Sequence, residues 1–203
     1  MAEHEEIKET KPLFTNKQLT RLMLPLVIEQ LLLMTVGMAD TMMVTTAGEA
    51  VVSGVSLVDN LNILIINIFS ALSTGGAVVV SQYLGRKDPE QARSAAKQLL
   101  YVVTIVALLI MAVGLAFRES ILRGVFGNIS QDVMDSALVY FLLTAAAYPF
   151  IAIYNAGAAL FRAMGNSKVS MINSLVVNVI NIAVNAVLIY GFNMGAAGAG
   201  IGT

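Results

Sequence analysis

The sequence has few of the residues on which most enzyme and metal sites depend. Its 203 residues include no cysteine, no tryptophan and a single histidine, His4, in a polar N-terminal segment. The lack of cysteine excludes disulfides and thiolate metal sites, and a lone histidine cannot build a zinc cluster. Phosphate-binding loops and nucleophile elbows are missing too, which leaves hydrolysis without a candidate site. We therefore expect no cofactor and no enzymatic activity.

Charged residues are also scarce. They make up 12% of the chain, and hydrophobic residues make up 57%, whereas an ordinary globular domain is about 25% charged. The formal net charge of −1 lacks the basic excess that phosphate binding requires, which argues against a nucleic-acid partner. The shortage of charge indicates that a lipid bilayer is the solvent of this chain.

The apolar residues are collected into long stretches. Four stretches carry no charge at all: 60–85, 98–117, 136–161 and 169–203. Each reaches the roughly 20 residues that a helix needs to cross about 30 Å of hydrocarbon. A fifth stretch, 22–46, is as long but contains two acids. The sequence predicts an all-α, polytopic transmembrane bundle of five complete helices, over residues 20–46, 52–84, 91–117, 133–161 and 168–191, with a sixth helix that begins near Met194.

The connections between these spans predict the orientation. Gly85 and Pro89 are suited to end one helix and open the next, and the segment 118–132 is typical of a short interfacial helix. Of the twelve lysines and arginines, ten belong to the N-terminal segment and to the two tight connections near residues 86–97 and 162–168. Because basic loops stay in the cytoplasm, we expect a multi-pass protein of the cell (plasma) membrane with a cytoplasmic N-terminus.

The two ends of the chain differ in character. Residues 1–19 are polar and lack the order of a cleaved signal peptide, so we expect a cytoplasmic tail. Residues 20–203 form the predicted transmembrane lobe, which stops in a Gly/Ala-rich run too short for a complete sixth helix. We therefore expect a truncated lobe that requires a missing C-terminal lobe, since many transporters are built from two repeated halves.

Asp40 is the strongest candidate for a functional residue. It lies in the first span with apolar neighbours, where an ionised aspartate at mid-membrane costs roughly 2.5 to 3.5 kcal/mol. Such a group usually faces a wet cavity and serves an ion or substrate pathway, and it can exchange a proton or bind Na⁺. The alternative is that Asp40 lies near the outer interface and is simply hydrated.

The same span contains Pro25 and Glu29. Pro25 removes a backbone hydrogen bond and predicts a kink, either as a hinge or as the ordinary proline that membrane helices tolerate. Glu29 precedes Asp40 by 11 residues, which places both on one face about 16 Å apart. Glu29 either shares a polar face with Asp40 or pairs with a cytoplasmic-side group such as Arg21.

Amides form a second candidate feature. In the fifth span Asn178, Asn181 and Asn185 follow one another at spacings that put them on one stripe of a helix. They either line an aqueous, ion-binding cavity or hold the helix to its neighbours by hydrogen bonds worth about 0.6 kcal/mol each. The same two interpretations apply to the polar residues of the second span, and there we favour packing; these are Asp59, Asn62, Asn67 and Ser70.

Several of these segments together resemble a known family. The run VSLVDNLNILIINIFSALSTGGAVVVSQYLGRKDPEQA, the pair of Pro25 and GMADTMMV, and NxxxNAVLIYGF followed by MGAAGAGIGT are similar to the N-terminal half of multidrug and toxic compound extrusion (MATE) transporters. The resemblance implies one six-helix lobe of a two-lobe antiporter that exports cationic or amphipathic small molecules against H⁺ or Na⁺.

The resemblance also assigns roles to residues. It implies that Asp40 is the carboxylate of the coupling site and that Pro25 forms the kink of the first helix. It also implies that Asn181 is the family's asparagine of the fifth helix and that Thr203 is the threonine that opens the sixth. One position departs from the family pattern, because Asn185 stands where many members have a second aspartate. Coupling in this lobe would then depend on Asp40 or on the missing lobe.

Two other functions stay open at this point. A related flippase for lipid-linked saccharides would need several basic residues in its cavity for pyrophosphate, and the spans contain none. A non-transporting membrane scaffold or fragment would also fit the short chain.

Overall fold

The structure, a computed structural model, describes residues 15–202. The predictions for the first 14 residues and for Thr203 lie outside the described residues. Within the described range the chain forms seven α-helices, and α6 continues through a π-helical turn, Val187–Gly191. The helices are α1 (Asn16–Thr45), α2 (Glu49–Gly85), α3 (Pro89–Ala116), α4 (Arg118–Phe126), α5 (Gln131–Ala163), α6 (Ser167–Ala186) and α7 (Gly195–Gly202).

Five of the helices in the described part of the chain are long and apolar enough to cross a membrane. They are α1, α2, α3, α5 and α6 with its π-helical turn, and they confirm the predicted order of spans. Large apolar side chains are exposed along them, among them Met34, Leu64, Leu109 and Ile180. A surface of this kind is suited to lipid and not to water. The chain is therefore an all-α, multi-pass membrane protein.

The predicted connections are also confirmed. α2 ends at Gly85, and α3 begins at Pro89. The carboxylate of Asp88 accepts a hydrogen bond from the backbone N–H of Gln91 at 3.1 Å, which caps a free donor of the first turn of α3. The predicted interfacial segment contains the short helix α4. These short connections make consecutive spans antiparallel neighbours.

α2 and α5 pack against each other more extensively than any other pair of helices and form the centre of the bundle. Their close approach depends on Gly54, where an added Cβ would lie 2.8 Å from both the backbone N of Ala137 and the backbone O of Val133. Only glycine fits such a backbone contact. α3 covers one side of this pair, and α1 and α6 lie together on the other side.

Candidate functional site

The buried face of α6 is entirely polar. Ordinary helices bury an apolar stripe, but every buried residue of α6 is a serine or an asparagine, at successive spacings of three or four: Ser167, Ser170, Ser174, Asn178, Asn181 and Asn185. The outward positions, such as Val176 and Val179, are apolar and exposed. From the first to the last of the six, the stripe runs about 27 Å along the helix, close to the thickness of the hydrocarbon core. We call these six residues the α6 polar stripe.

Asp40 binds the C-terminal end of the α6 polar stripe. The side-chain N–H₂ group of Asn185 donates to Asp40 Oδ1 at 2.8 Å and lies 3.3 Å from Asn181 Oδ1. The side-chain N–H₂ group of Asn181 donates to the backbone O of Gly202 at 2.8 Å. A chain of hydrogen bonds therefore links a carboxylate of α1, two amides of α6 and the backbone of α7.

Glu29 binds the other end of the stripe. Ser170 Oγ lies 3.0 Å from each carboxylate oxygen of Glu29, and Arg162 Nη1 lies 3.3 Å from Glu29 Oε1 and 3.3 Å from Ser170 Oγ. Glu29 is buried. The cation that pairs with Glu29 is Arg162 at the end of α5, which belongs to the same group of basic connections as the Arg21 named as an example in the prediction. The expectation that Glu29 and Asp40 share one face is confirmed, because both contact α6.

The remaining predicted residues are placed as follows. Asn178 lies on the same buried face, and its Nδ2 atom has no hydrogen-bond partner among the described residues. Pro25 is a buried residue inside α1, four positions before Glu29. It cannot donate a backbone hydrogen bond to the preceding turn, which weakens α1 locally. Its role as a hinge and the role of Asn178 in ion binding stay predictions.

A second polar cluster connects α2 to α5. Tyr140 donates its hydroxyl to Asp59 Oδ1 at 2.7 Å, and Tyr148 donates to Asn62 Oδ1 at 2.8 Å. The side chain of Asn62 in turn lies 3.5 Å from Asp59 Oδ1. These contacts agree with the expectation that the polar residues of this span serve packing, and they add two tyrosines as partners.

No group of three or more histidine, cysteine, aspartate or glutamate side chains gathers within residues 15–202 as a metal site would require. The oxygen atoms near Asp40 include an amide oxygen, Asn185 Oδ1, that is buried and has no hydrogen-bond partner in the described part of the chain. Carboxylate, amide and carbonyl oxygens are the ligands that hard cations prefer. This end of the stripe therefore offers the chemistry for one cation.

Sequence reasoning missed four participants: Arg162, Ser170, Tyr140 and Tyr148. The spacing of the asparagines continues backwards through Ser174, Ser170 and Ser167, so the whole stripe was visible in the sequence. The tyrosines and Arg162 gave no such signal, because a residue's partner on another helix depends on how the helices are rotated in the bundle.

Comparison with known proteins gives the family. The model of the MatE family matches residues 25–187. The "Uncharacterized transporter YisQ" of Bacillus subtilis is 31% identical over 95% of this chain and 43% of its own length. The "Probable multidrug resistance protein NorM" of Thermotoga maritima is 26% identical over 98% of this chain and 42% of its own. The chain thus spans about two fifths of the length of the curated relatives it matches.

A solved structure supports the fold. It is described as the outward-facing conformation of a multidrug resistance MATE family transporter of the MOP superfamily, and it superposes with a TM-score of 0.86 at 23% identity. The match covers 92% of this chain and 41% of the solved one. Since the family model matches most of the chain and the fold agrees with it, the chain belongs to the MatE family of multidrug and toxic compound extrusion transporters.

Proposed function

We propose that this chain forms the N-terminal lobe of an antiporter that exports cationic or amphipathic compounds against an inward flow of H⁺ or Na⁺. The observation that carries the proposal is the hydrogen bond between Asn185 and Asp40 at 2.8 Å. It places the carboxylate of α1 at the C-terminal end of a polar stripe inside an otherwise apolar bundle. Ionisable groups in such positions serve ion and substrate pathways.

The geometry supports a simple coupling scheme. Asp40 accepts a hydrogen bond from Asn185 most strongly when the carboxylate is ionised, because charged acceptors make the stronger bonds. A proton or Na⁺ on Asp40 neutralises that charge and weakens the contact between α1 and α6. A cationic substrate and the coupling ion then compete for the same negative charge, which is the basis of exchange. Pro25 provides the weak point at which α1 bends.

The proposed partners follow from the family architecture. The substrate pathway of a transporter with repeated halves lies between the halves. We propose that this lobe works with a second lobe, inside a bilayer, on small-molecule substrates, and that it catalyses no covalent reaction. The proposed location is the plasma membrane with the N-terminus in the cytoplasm.

The flippase alternative requires basic side chains that are free to bind pyrophosphate. Arg162 reaches the bundle interior, but it is paired with Glu29 at 3.3 Å. A paired guanidinium is a poor phosphate site, because the carboxylate competes for it and repels the anion. This contact favours the antiporter over the flippase.

The experiment compares transport by Asp40→Asn and Asp135→Asn in a longer polypeptide that also carries a second six-helix lobe. Asp135 is an exposed aspartate of α5 whose carboxylate accepts a hydrogen bond from the side chain of Gln131 at 2.9 Å, so it is a matched control for loss of one charge. We expect efflux driven by an imposed H⁺ or Na⁺ gradient to fall to background in Asp40→Asn and to continue in Asp135→Asn. Expression of both should be close to the parent, because asparagine is similar in shape and cheaper to bury.

Wild-type efflux and unchanged ion dependence in Asp40→Asn would contradict the proposal and make Asp40 a structural or interfacial residue. The same cells expressing the 203-residue chain alone test the two-lobe requirement. We expect no efflux from it. Failure of the longer polypeptide to move any substrate, with normal expression, would favour the alternative of a non-transporting membrane fragment.

A further inference from the structure

We propose that Asp59 on α2 is the second negative charge of the cation site at Asp40, and that it raises the affinity of that site for a monovalent metal cation such as Na⁺. This inference rests on the proposed function, and it adds a residue of α2 to the site formed by α1 and α6. Asn185 is neutral, so α6 supplies no second negative charge to the site. We infer that Asp59 of α2 supplies it instead.

The first argument is the depth of the two acids in the membrane. Asp40 lies five residues before the end of α1 at Thr45, and Asp59 lies ten residues after the start of α2 at Glu49. These helix ends are joined by a short turn and therefore lie at the same membrane face. At 1.5 Å per residue the two carboxylates are about 7 Å and about 15 Å from that face. Both therefore lie within about 15 Å of the same end of the bundle.

The second argument is a continuous path of contacts through α7. An added Cβ at Gly202 would collide with Asn185 Oδ1, and an added Cβ at Gly200 would lie 3.3 Å from the ring of Tyr140. Tyr140 in turn donates its hydroxyl to Asp59. The two glycines of one helical turn thus lie against the amide that binds Asp40 and against the tyrosine that binds Asp59.

The third argument is the unsatisfied oxygen of Asn185. The residue is 1% exposed, and its Oδ1 atom has no hydrogen-bond partner among residues 15–202. A buried polar atom without a partner costs about 1 to 3 kcal/mol. A metal cation beside Asp40 takes oxygen ligands of this kind, and Asn185 Oδ1 is available as one. The arrangement therefore favours a metal cation.

A second negative charge would increase the affinity of this buried site for a cation. Asp40 alone balances the charge of Na⁺, but it does so while the low dielectric of the bundle disfavours both ions. Two opposite unit charges about 8 to 10 Å apart attract each other by about 1.5 to 2 kcal/mol at an effective dielectric constant of 20, so a second carboxylate at such a distance would raise the affinity for the cation on the order of tenfold. The other charged residues that face the bundle interior, Glu29 and Arg162, lie at the opposite end and neutralise each other.

The test is direct binding of ²²Na⁺ to the purified 203-residue chain in lipid nanodiscs at fixed pH. We expect saturable binding that is lost in Asp40→Asn, weakened on the order of tenfold in Asp59→Asn, and restored in Asp59→Glu, which keeps the charge. Asp135→Asn is the control for loss of a distant charge and should bind as the parent does. Circular dichroism of each variant checks that the helices are intact.

Tyr140→Phe separates charge from packing. It removes the hydrogen bond between α5 and Asp59 but leaves the carboxylate in place, so binding should stay within about threefold of the parent if the charge is what matters. Equal losses in Tyr140→Phe and Asp59→Asn would overturn the inference and make Asp59 a packing residue.

Unchanged binding in Asp59→Asn, with loss in Asp40→Asn, would also overturn the inference but leave the proposed antiporter intact. Absence of saturable Na⁺ binding in the parent chain would overturn the inference as well. Proton uptake by the Na⁺-free chain then tells the two failures apart: uptake that depends on Asp40 leaves an H⁺-coupled antiporter standing, and no uptake removes the proposed function too.

Discussion

The hydroxyl group of Ser170 lies 3.0 Å from each of the two carboxylate oxygens of Glu29. A single serine of α6 thus contacts both oxygens of an acid of α1, and Arg162 completes the cluster from the end of α5. The cluster joins α1 to the consecutive helices α5 and α6 through residues that lie more than 130 positions after Glu29 in the sequence. An ionised carboxylate is tolerated here because a cation and a hydroxyl replace the water that it has lost.

We predict that Glu29→Gln destabilises the bundle by roughly 3 kcal/mol, because it leaves the guanidinium of Arg162 unpaired. The value is at the lower end for a buried pair, since the Arg162 side chain is 30% exposed. The double variant Glu29→Gln/Arg162→Gln should cost less than the sum of the two single changes. Unfolding by SDS in mixed micelles, followed by circular dichroism because the chain has no tryptophan, measures all three.

The matched control is Glu119→Gln. Its partner, Arg123, lies 3.0 Å away in α4, and both side chains are at least half exposed. Exposed pairs contribute little, so the change should cost less than about 1 kcal/mol. Equal losses at Glu29 and Glu119, or strict additivity in the double variant, would contradict the interpretation of Glu29 and Arg162 as a buried pair.

A second prediction concerns the contact between α2 and α5. Gly54→Ala places a methyl group 2.8 Å from the backbone of α5, and backbone atoms cannot move aside as a side chain can. We expect a loss of about 1 to 3 kcal/mol. Gly75→Ala is the control on the same helix, because nothing lies within 4 Å of a Cβ at that position; it should be neutral or stabilising by up to about 1 kcal/mol. The same SDS titration measures the free energy of unfolding of both variants. An unchanged value for Gly54→Ala would contradict the close approach of α2 and α5 at this residue.

A third prediction concerns the contact of α7 with the candidate site. Gly202→Ala should displace the Asn185 side chain, since the new Cβ would occupy the place of Asn185 Oδ1. The hydrogen bond to Asp40 would then be lost, at a cost of about 1.5 to 3 kcal/mol for a charged acceptor. Gly157→Ala, with nothing within 4 Å, is the control. Parent-like stability and Na⁺ binding in Gly202→Ala would show that Asn185 is free to move.

A fourth prediction concerns the orientation of the helices across the membrane. We expect a cysteine at Lys87 to be labelled only from the cytoplasm, and one at Arg123 to be labelled from outside intact cells, because basic connections stay inside. The parent contains no cysteine, so each variant reports one position. Labelling at Lys87 from outside, with Arg123 silent, would reverse the topology.

Much of the fold could be predicted from composition alone. Each uncharged stretch became a span, because lipid forces every backbone group into a helix and leaves few alternatives. The turn at Gly85 and Pro89 was equally predictable, since both residues act through local backbone geometry. The start of α2 was predicted three residues late, because Glu49 can sit at a helix N-terminus where the dipole favours an acid.

The candidate site was predictable only in part. Asp40 and the asparagines of α6 stand out because polar groups are rare in a span, and their periodicity assigns them to one face. The pairing of Glu29 with Arg162, and of Asp59 with Tyr140, depends on helix rotation and crossing. These are set by the summed packing of side chains and by Gly54, and no single residue encodes them.

The α6 polar stripe has a consequence for how the protein is made. A helix with serines and asparagines along one side is poorly stabilised in bare lipid, and the acids that contact this side belong to α1, which is synthesised before α6. Glu29 and Asp40 therefore lack their hydrogen-bond donors from α6, Ser170 and Asn185, until α6 has been synthesised. Docking of α1 with α6 is therefore a late step of biogenesis, and a chain interrupted before Ser167 would lack the α6 side chains that bind both acids.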